Sequence, residues 1–197
     1  MAGNRGFSLM ETTVTVGLLA LAATVAMPNL FEVRRDVDLH RLARQVFADA
    51  ANCRLAALTS CRNVGLVFAE QDGRWYYTQV MDGDNDGVSR ADFLKGVDKP
   101  IGPRIWLEFL SAGTRVGVPV GWHVPDPSGD GYLPENGLRI GNSAIISFSN
   151  EGHATPSTVY FNDGQDRMLA IRTNGETGLT RALLWRRGWS AWRPVTL

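Results

Sequence analysis

"GFSLMETTVTVGLLALAATVAMPN", residues 6–29, decides how the rest of the chain is read. From Phe7 to Met27 its only ionisable side chain is Glu11. At about 1.5 Å of rise per residue, a helix over this run spans ~30 Å, the thickness of a hydrocarbon core. A cleaved secretory signal, a plain membrane anchor and a buried core helix all compete for such a segment. A secretory signal carries a basic start, a shorter apolar stretch and a small-residue cleavage site. Here Arg5 is the only charged side chain before the run, and Thr12, Thr13 and Thr15 interrupt it. A helical pattern resumes after Pro28, so the segment reads as retained. A plain anchor gains nothing from a carboxylate inside its apolar run, because an ionised, unpaired acid is costly there. Glu11 therefore calls for a partner, and no basic residue lies between Phe7 and Met27.

Composition frames this segment. The chain has 197 residues, 44% of them hydrophobic, and 20 basic side chains balance 20 acidic ones. That is room for one domain with an appended segment, and zero net charge excludes a globally basic nucleic-acid binder. Ala and Leu concentrate in the first third, and Gly, Pro, Trp, Val and Thr after it, a shift from helix formers to strand and turn formers. Beyond Pro28, Leu39, Leu42, Val46, Ala50, Cys53 and Ala57 recur at three- and four-residue steps, which predicts an amphipathic helix to about Thr59. Pro28 removes one backbone donor and is expected to bend the helix between its two halves. After Arg62, "NVGLVFAE", "RWYYTQVM", "RIWLEFL", "SAIISFS", "STVYFND", "RMLAIRTN" and "RALLWRR" read as strands, separated by turns such as Asp72-Gly73 and Asn174-Gly175. Without crossover helices they are expected to be antiparallel. The fold class is thus α+β, a long kinked N-terminal helix packed on a C-terminal antiparallel β domain of one or two sheets.

The N-terminal residues resemble the class III signal and first helix of type IV pilins and pseudopilins. Gly-Phe, an acid five residues in, a long charge-free run and a proline carry the resemblance. It implies cleavage by prepilin peptidase after Gly6, N-methylation of the new terminus Phe7, and Glu11 and Pro28 as assembly residues. The implied segments are a leader over 1–6, a transmembrane and filament-core helix over 7–27, an amphipathic helix over 28–60 and a β-rich periplasmic domain over 61–197. "ISFSNEGHATPSTVYFNDGQDRMLAIRTNGETGLTRALLW", Ile146 to Trp185, is similar to the terminal part of the GspH/FimT group of minor pseudopilins. Together these imply a non-enzymatic subunit of a type IV pilus or type II secretion pseudopilus. Its location would be the bacterial inner membrane with a periplasmic domain, and its partners other pilin subunits, the peptidase and the assembly platform. The amine of Phe7 and a neighbour's Glu11 would neutralise each other where an unpaired charge is most expensive.

Other motifs are weighed beside that reading. "DGDNDGVSRADF" sets Asp82, Asp84 and Asp86 at alternate positions before Gly87, the first half of a calcium loop. The acid required at the twelfth place is replaced by Phe93, with Asp92 one place early, so calcium competes with a solvated hairpin turn. Asp126, Asp130 and Glu135 in "DPSGDGYLPENG" form a weaker candidate. From Arg167 onward six arginines face one acid, Glu176, and Trp185, Trp189 and Trp192 are interleaved. Arginines bind phosphates and aromatic faces stack on bases. Some FimT-like relatives take up DNA through a terminal Gly-Arg-x-Arg motif; here Gly178-Leu179-Thr180-Arg181 keeps only the Gly and the second Arg. Arg181, Arg186, Arg187 and Trp189 are the candidate DNA contacts, against a reading in which the tryptophans pack and the arginines cover a sheet edge. Cys53 and Cys61 are either a disulfide tying the helix end to the first strand or two free thiols. His123 and His153 lie in separate turn-like contexts without a nucleophile elbow or metal spacing.

Overall fold

The computed structural model describes residues 8–111, 113–129, 131–134, 138–140 and 143–197. It divides into two compact units, residues 1–36 and 37–197. One helix, α1 (Leu9–Ser60), runs through the division. Ser8 caps it, its Oγ accepting from Met10 N–H at 3.3 Å and its carbonyl from Thr12 N–H at 3.0 Å.

In the first unit the described side chains of α1 up to Val33 are all exposed. The threonines that interrupt the apolar run turn their hydroxyls onto the helix's own carbonyls: Thr13 to Leu9 at 2.8 Å, Thr15 to Glu11 at 2.7 Å and Thr24 to Leu21 at 2.6 Å. Their methyl groups are left to the outside, so the run is more apolar than its composition suggests.

The second unit is built on strands. β1 (Val64–Gln71), β2 (Arg74–Met81), β3 (Lys99–Pro100), β4 (Ile105–Trp106) and β7 (Ile145–Phe148) form one sheet. β5 (Arg115–Val116), β6 (Leu138–Ile140), β8 (Ser157–Asn162), β9 (Arg167–Thr173), β10 (Thr180–Arg186) and β11 (Arg193–Val195) form the other. The strand pairs within both sheets are antiparallel. Strand alternation sorts the side chains into layers. Val64, Leu66 and Phe68 of the first sheet, Val159, Phe161, Leu169 and Ile171 of the second, and Leu39, Leu42, Val46, Ala50, Cys53 and Ala57 of α1 share one core. The opposite face of the first sheet, Val67, Val80 and Ile145, is covered by Val88 and Phe93. The opposite face of the second, Tyr160, Met168, Ala170 and Trp185, packs with Val118, Val124 and Leu133.

This corrects the expected fold class. The strand-rich unit of eleven strands in two sheets dominates, and the helix that packs on it is short: its buried apolar residues run only from Leu39 to Ala57. A long kinked helix packed along its length on the β domain is not what the chain forms. The backbone is helical without interruption through Pro28, whose side chain lies outside the described residues, and the units divide at Asp36/Val37 instead. One missing ladder bond leaves the flanking turns intact, whereas packing begins only where apolar side chains meet the sheets. "RIWLEFL" is also corrected: two strand residues are followed by a short helix, α3 (Leu107–Leu110). Another, α2 (Arg90–Lys95), falls in the stretch read as a loop, between Ser89 as N-cap and Gly96 as C-cap.

Candidate functional site

The processing residues Gly6 and Phe7 lie outside the described residues. Glu11 is exposed in the first turn of α1 and has no basic partner among the described residues. Around it Leu9 is 85% exposed and Leu18, Leu19 and Leu21 are each more than 60% exposed. Among the described residues no helix is long and apolar enough to cross a membrane. The expected span 7–27 includes Phe7 and the Val25 side chain, which lie outside them.

The outer face of the second sheet gathers the C-terminal aromatics. Trp185 is buried, with its ring centroid 5.9 Å from Trp122 and 6.4 Å from Trp192, and its indole N–H donates to Trp189 C=O at 2.9 Å. Trp192 donates to Pro125 C=O at 2.7 Å. These tryptophans are packed, as the structural reading of the tail anticipated. Beside them lies an open groove of about 700 Å³, lined by Trp122, His123, Tyr132, Arg187, Trp189 and Ser190 among others. The Arg187 guanidinium stands 5.8 Å from the Trp122 ring and Arg193 stands 4.2 Å from Trp189. Of the four candidate DNA contacts, only Arg187 and Trp189 reach this groove. Arg186 pairs across the strands with Arg167, and Arg181 lies at the other end of β10, opposite Arg172. Gly178 has a structural reason to be glycine. Its φ is +62°, and a Cβ would lie 2.6 Å from Gly152 C=O and 3.0 Å from Arg54 Nε.

The acidic loop is built around one buried carboxylate. Asp82 accepts from Asn63 Nδ2 at 2.8 Å and from the backbone N–H groups of Asn85 at 2.7 Å, Gly87 at 2.8 Å and Asp84 at 3.2 Å. Burial opposes its ionisation, but these four bonds outweigh that and hold its carboxyl below the usual range. Asp98 is buried beneath the same loop and accepts from Gly83 N–H at 3.0 Å and Ser89 N–H at 2.9 Å. Asp82, Asp84 and Asp86 bring oxygens within 4.8 Å of one another and are the residues that could share a cation. The Asp84 carboxylate, through a hydrogen bond and its charge, pushes the Asp86 carboxyl up. Asp92 is engaged elsewhere, with Ser89 Oγ at 2.6 Å and Lys95 Nζ at 3.1 Å. Phe93 packs on the first sheet, so the last place of the calcium loop is given to a core contact. Residues 83–86 are exposed, with Asn85 and Gly87 at positive φ, while Val88 and Phe93 beyond them cover that sheet.

In the weaker acidic stretch, Asp130 and Glu135 lie outside the described residues. Asp126 is buried and accepts from Ser128 Oγ, from Ser128 N–H at 2.8 Å and from Arg139. Burial opposes its ionisation, and Ser128 and Arg139 together hold its carboxyl below the usual range. Cys53 is buried and Cys61 exposed, and neither is bonded to the other. Of the two readings, the structure has the pair of free thiols, Cys53 on α1 and Cys61 just past its end. His153 Nδ1 donates to Glu176 C=O at 2.9 Å and ties two turns together, while His123 sits edge-on to Tyr132 at 5.9 Å.

The sequence reading missed Trp122, Tyr132, Arg139 and Tyr160: Arg139 and Tyr160 come to the second sheet through the register of β6 and β8, and Trp122 and Tyr132 through the connection between β5 and β6. No known family, curated protein or solved structure matches the chain.

Proposed function

We propose that the protein is a minor pilin or pseudopilin, a structural subunit of a type IV pilus or type II secretion pseudopilus. It is processed after Gly6 at the bacterial inner membrane, with prepilin peptidase, the assembly platform and neighbouring subunits as partners. One observation carries this reading: an exposed acid, Glu11, lies without a cation among the described residues, in the part of α1 whose described apolar side chains are themselves exposed. Apolar surface on this scale requires a partner, lipid or protein. The processed terminus of Phe7 in a neighbouring subunit supplies the charge that Glu11 lacks. Such a pair selects one axial stagger between helices, because any other leaves two charges unpaired in a low-dielectric bundle. The compact unit 37–197 has its own core and would present its surface to other subunits. The test is Glu11→Ala in cells. The variant is expected to keep the wild-type cellular level and to be missing from sheared filaments. Incorporation at the wild-type level would overturn the reading.

A second reading, a DNA receptor at the filament tip, is favoured by the aromatic groove, where Arg187 and the tryptophans are lined up with no acid among the described lining residues. A single-stranded oligonucleotide titrated at two salt concentrations tests it. Arg187→Ala and Trp189→Ala are each expected to weaken binding roughly tenfold, and unchanged binding would remove the reading.

A further inference from the structure

The outer face of the second sheet has a polar end, which borders the tryptophans through Tyr160, its ring centroid 5.9 Å from that of Trp192, and is independent of the filament reading. Arg139 on β6 is in register with Thr158 on β8, Thr158 with Arg172 on β9, and Arg172 with Arg181 on β10. Strand alternation places all four on one face in one transverse row, with neighbours about 5 Å apart. Like charges directly opposite each other, as Arg172 and Arg181 are, destabilise a strand pair unless an anion lies between them. Neither arginine has an acidic partner among the described residues.

Beneath the row a cavity of about 280 Å³ opens, lined by Asp126, Arg139, Tyr160, Arg172 and Asn174 among others. Its floor contains a buried hydroxyl. Tyr160 is 2% exposed, and its hydroxyl, with Arg139 and Thr158 close beside it, closes no well-formed hydrogen bond. A buried polar group left unpaired costs stability and marks a missing ligand or a functional role. Burial first, then the charge of Asp126, push the phenol up, so it remains an O–H donor at neutral pH. Asp126 is the one acid among the described residues of the wall, and its oxygens are taken by Ser128 and Arg139. The Asn174 side-chain oxygen accepts from Thr177 N–H and Oγ1, which leaves its amide N–H groups as donors.

The geometry points to a binding site for a terminal phosphate group, held between Arg172 and Arg139 with the Tyr160 hydroxyl donating from below. Arginine forks match the oxygens of a tetrahedral oxyanion, and charge-assisted bonds of this kind are the strong ones. Donors arriving from several directions suit a group with three free oxygens better than a phosphodiester, which offers two. The ligand class is therefore inorganic phosphate or a small phosphomonoester.

The full chain in detergent is titrated calorimetrically with inorganic phosphate, glycerol 3-phosphate and dimethyl phosphate, with chloride holding ionic strength constant. Saturable binding of the first two is expected, and none of the diester. Tighter binding of glycerol 3-phosphate than of phosphate would identify an organic ester as the ligand, and equal affinity free phosphate. Arg172→Gln is expected to weaken phosphate by about tenfold or more, the worth of one charge-assisted pair. Tyr160→Phe is the sharper variant. It removes a hydroxyl that closes no well-formed hydrogen bond in the chain, so it should change the melting temperature little while weakening phosphate about threefold to tenfold. A role in packing alone would leave phosphate affinity untouched. No binding beyond the chloride control, binding by the diester alone, or wild-type affinity in both variants would overturn the site.

Discussion

Asp49 and Asp82 show how single carboxylates organise this chain from inside it. Asp49 lies on the packed part of α1, 5% exposed, and accepts from Tyr77 Oη at 2.5 Å, Gln79 Nε2 at 3.1 Å and Gln45 Nε2 at 3.0 Å. Two of these donors come from β2, so the acid fixes the helix to the first sheet in one register. Burial, and then the bond to Asp49, push the Tyr77 phenol far up, which keeps it a donor at any ordinary pH. Tyr77→Phe leaves a buried carboxylate short of a donor and is expected to cost about 2 kcal/mol in urea denaturation with an unchanged m-value. Asp82 makes its loop in the same manner, and its depressed pKa gives a sign. Stability from a lowered acid is present above the unfolded value of about 3.9 and is lost as pH falls through the lower folded value. Asp82→Asn is therefore expected to flatten the acid limb of the stability profile below that point while lowering stability at pH 7. A parallel acid limb in the variant would contradict this.

Among the elements, α1 and the turns that seat on it carry the next expectations. Burial, then the nearby Asp49, push the Cys53 thiol up to about 12, so it is not a nucleophile at neutral pH. Cys61 follows the helix end at φ 54° and is exposed. Native protein treated with iodoacetamide is expected to gain one adduct, at Cys61, and denatured protein two; no adduct before reduction would restore the disulfide. The turn before β10 meets α1 where Gly178 approaches Arg54. Gly178→Ala is expected to cost about 2 kcal/mol, from a positive φ and a Cβ that meets backbone. The elements differ in how plainly the sequence announces them. β1, β2 and β7 to β10 stand out because apolar alternation over four to eight residues marks a sheet by itself. β3, β4, β5, β6 and β11 have two or three residues each, too few for a period, and are strands only because a longer neighbour pairs with them. α2 hides in an acidic loop because its residues are chosen to cap it and to send Phe93 onto the sheet.

Across the whole molecule, the sequence pattern sets a bend at Pro28, and the compact units divide at Asp36/Val37. The Pro28 signal is real as chemistry, yet the packing boundary lies further on, because a proline is a local event and burial depends on the sheets. The candidate sites divide in the same way. The tryptophans of the tail are visible in sequence, but the row Arg139, Thr158, Arg172, Arg181 is assembled by the register of four strands and has no linear signature. Since no described apolar side chain of α1 before Leu39 is buried, a chain lacking residues 1–36 is expected to melt within about 2 °C of the full chain, as surface changes do. A larger fall would show that the first unit contributes to the core. The proposed function accounts for the exposed apolar run and the acid Glu11 within it by processing at Gly6 followed by assembly through Glu11. Intact mass of the protein extracted from membranes tests this: the chain should begin at Phe7 and carry one added methyl group, and a chain that still begins at Met1 would contradict it.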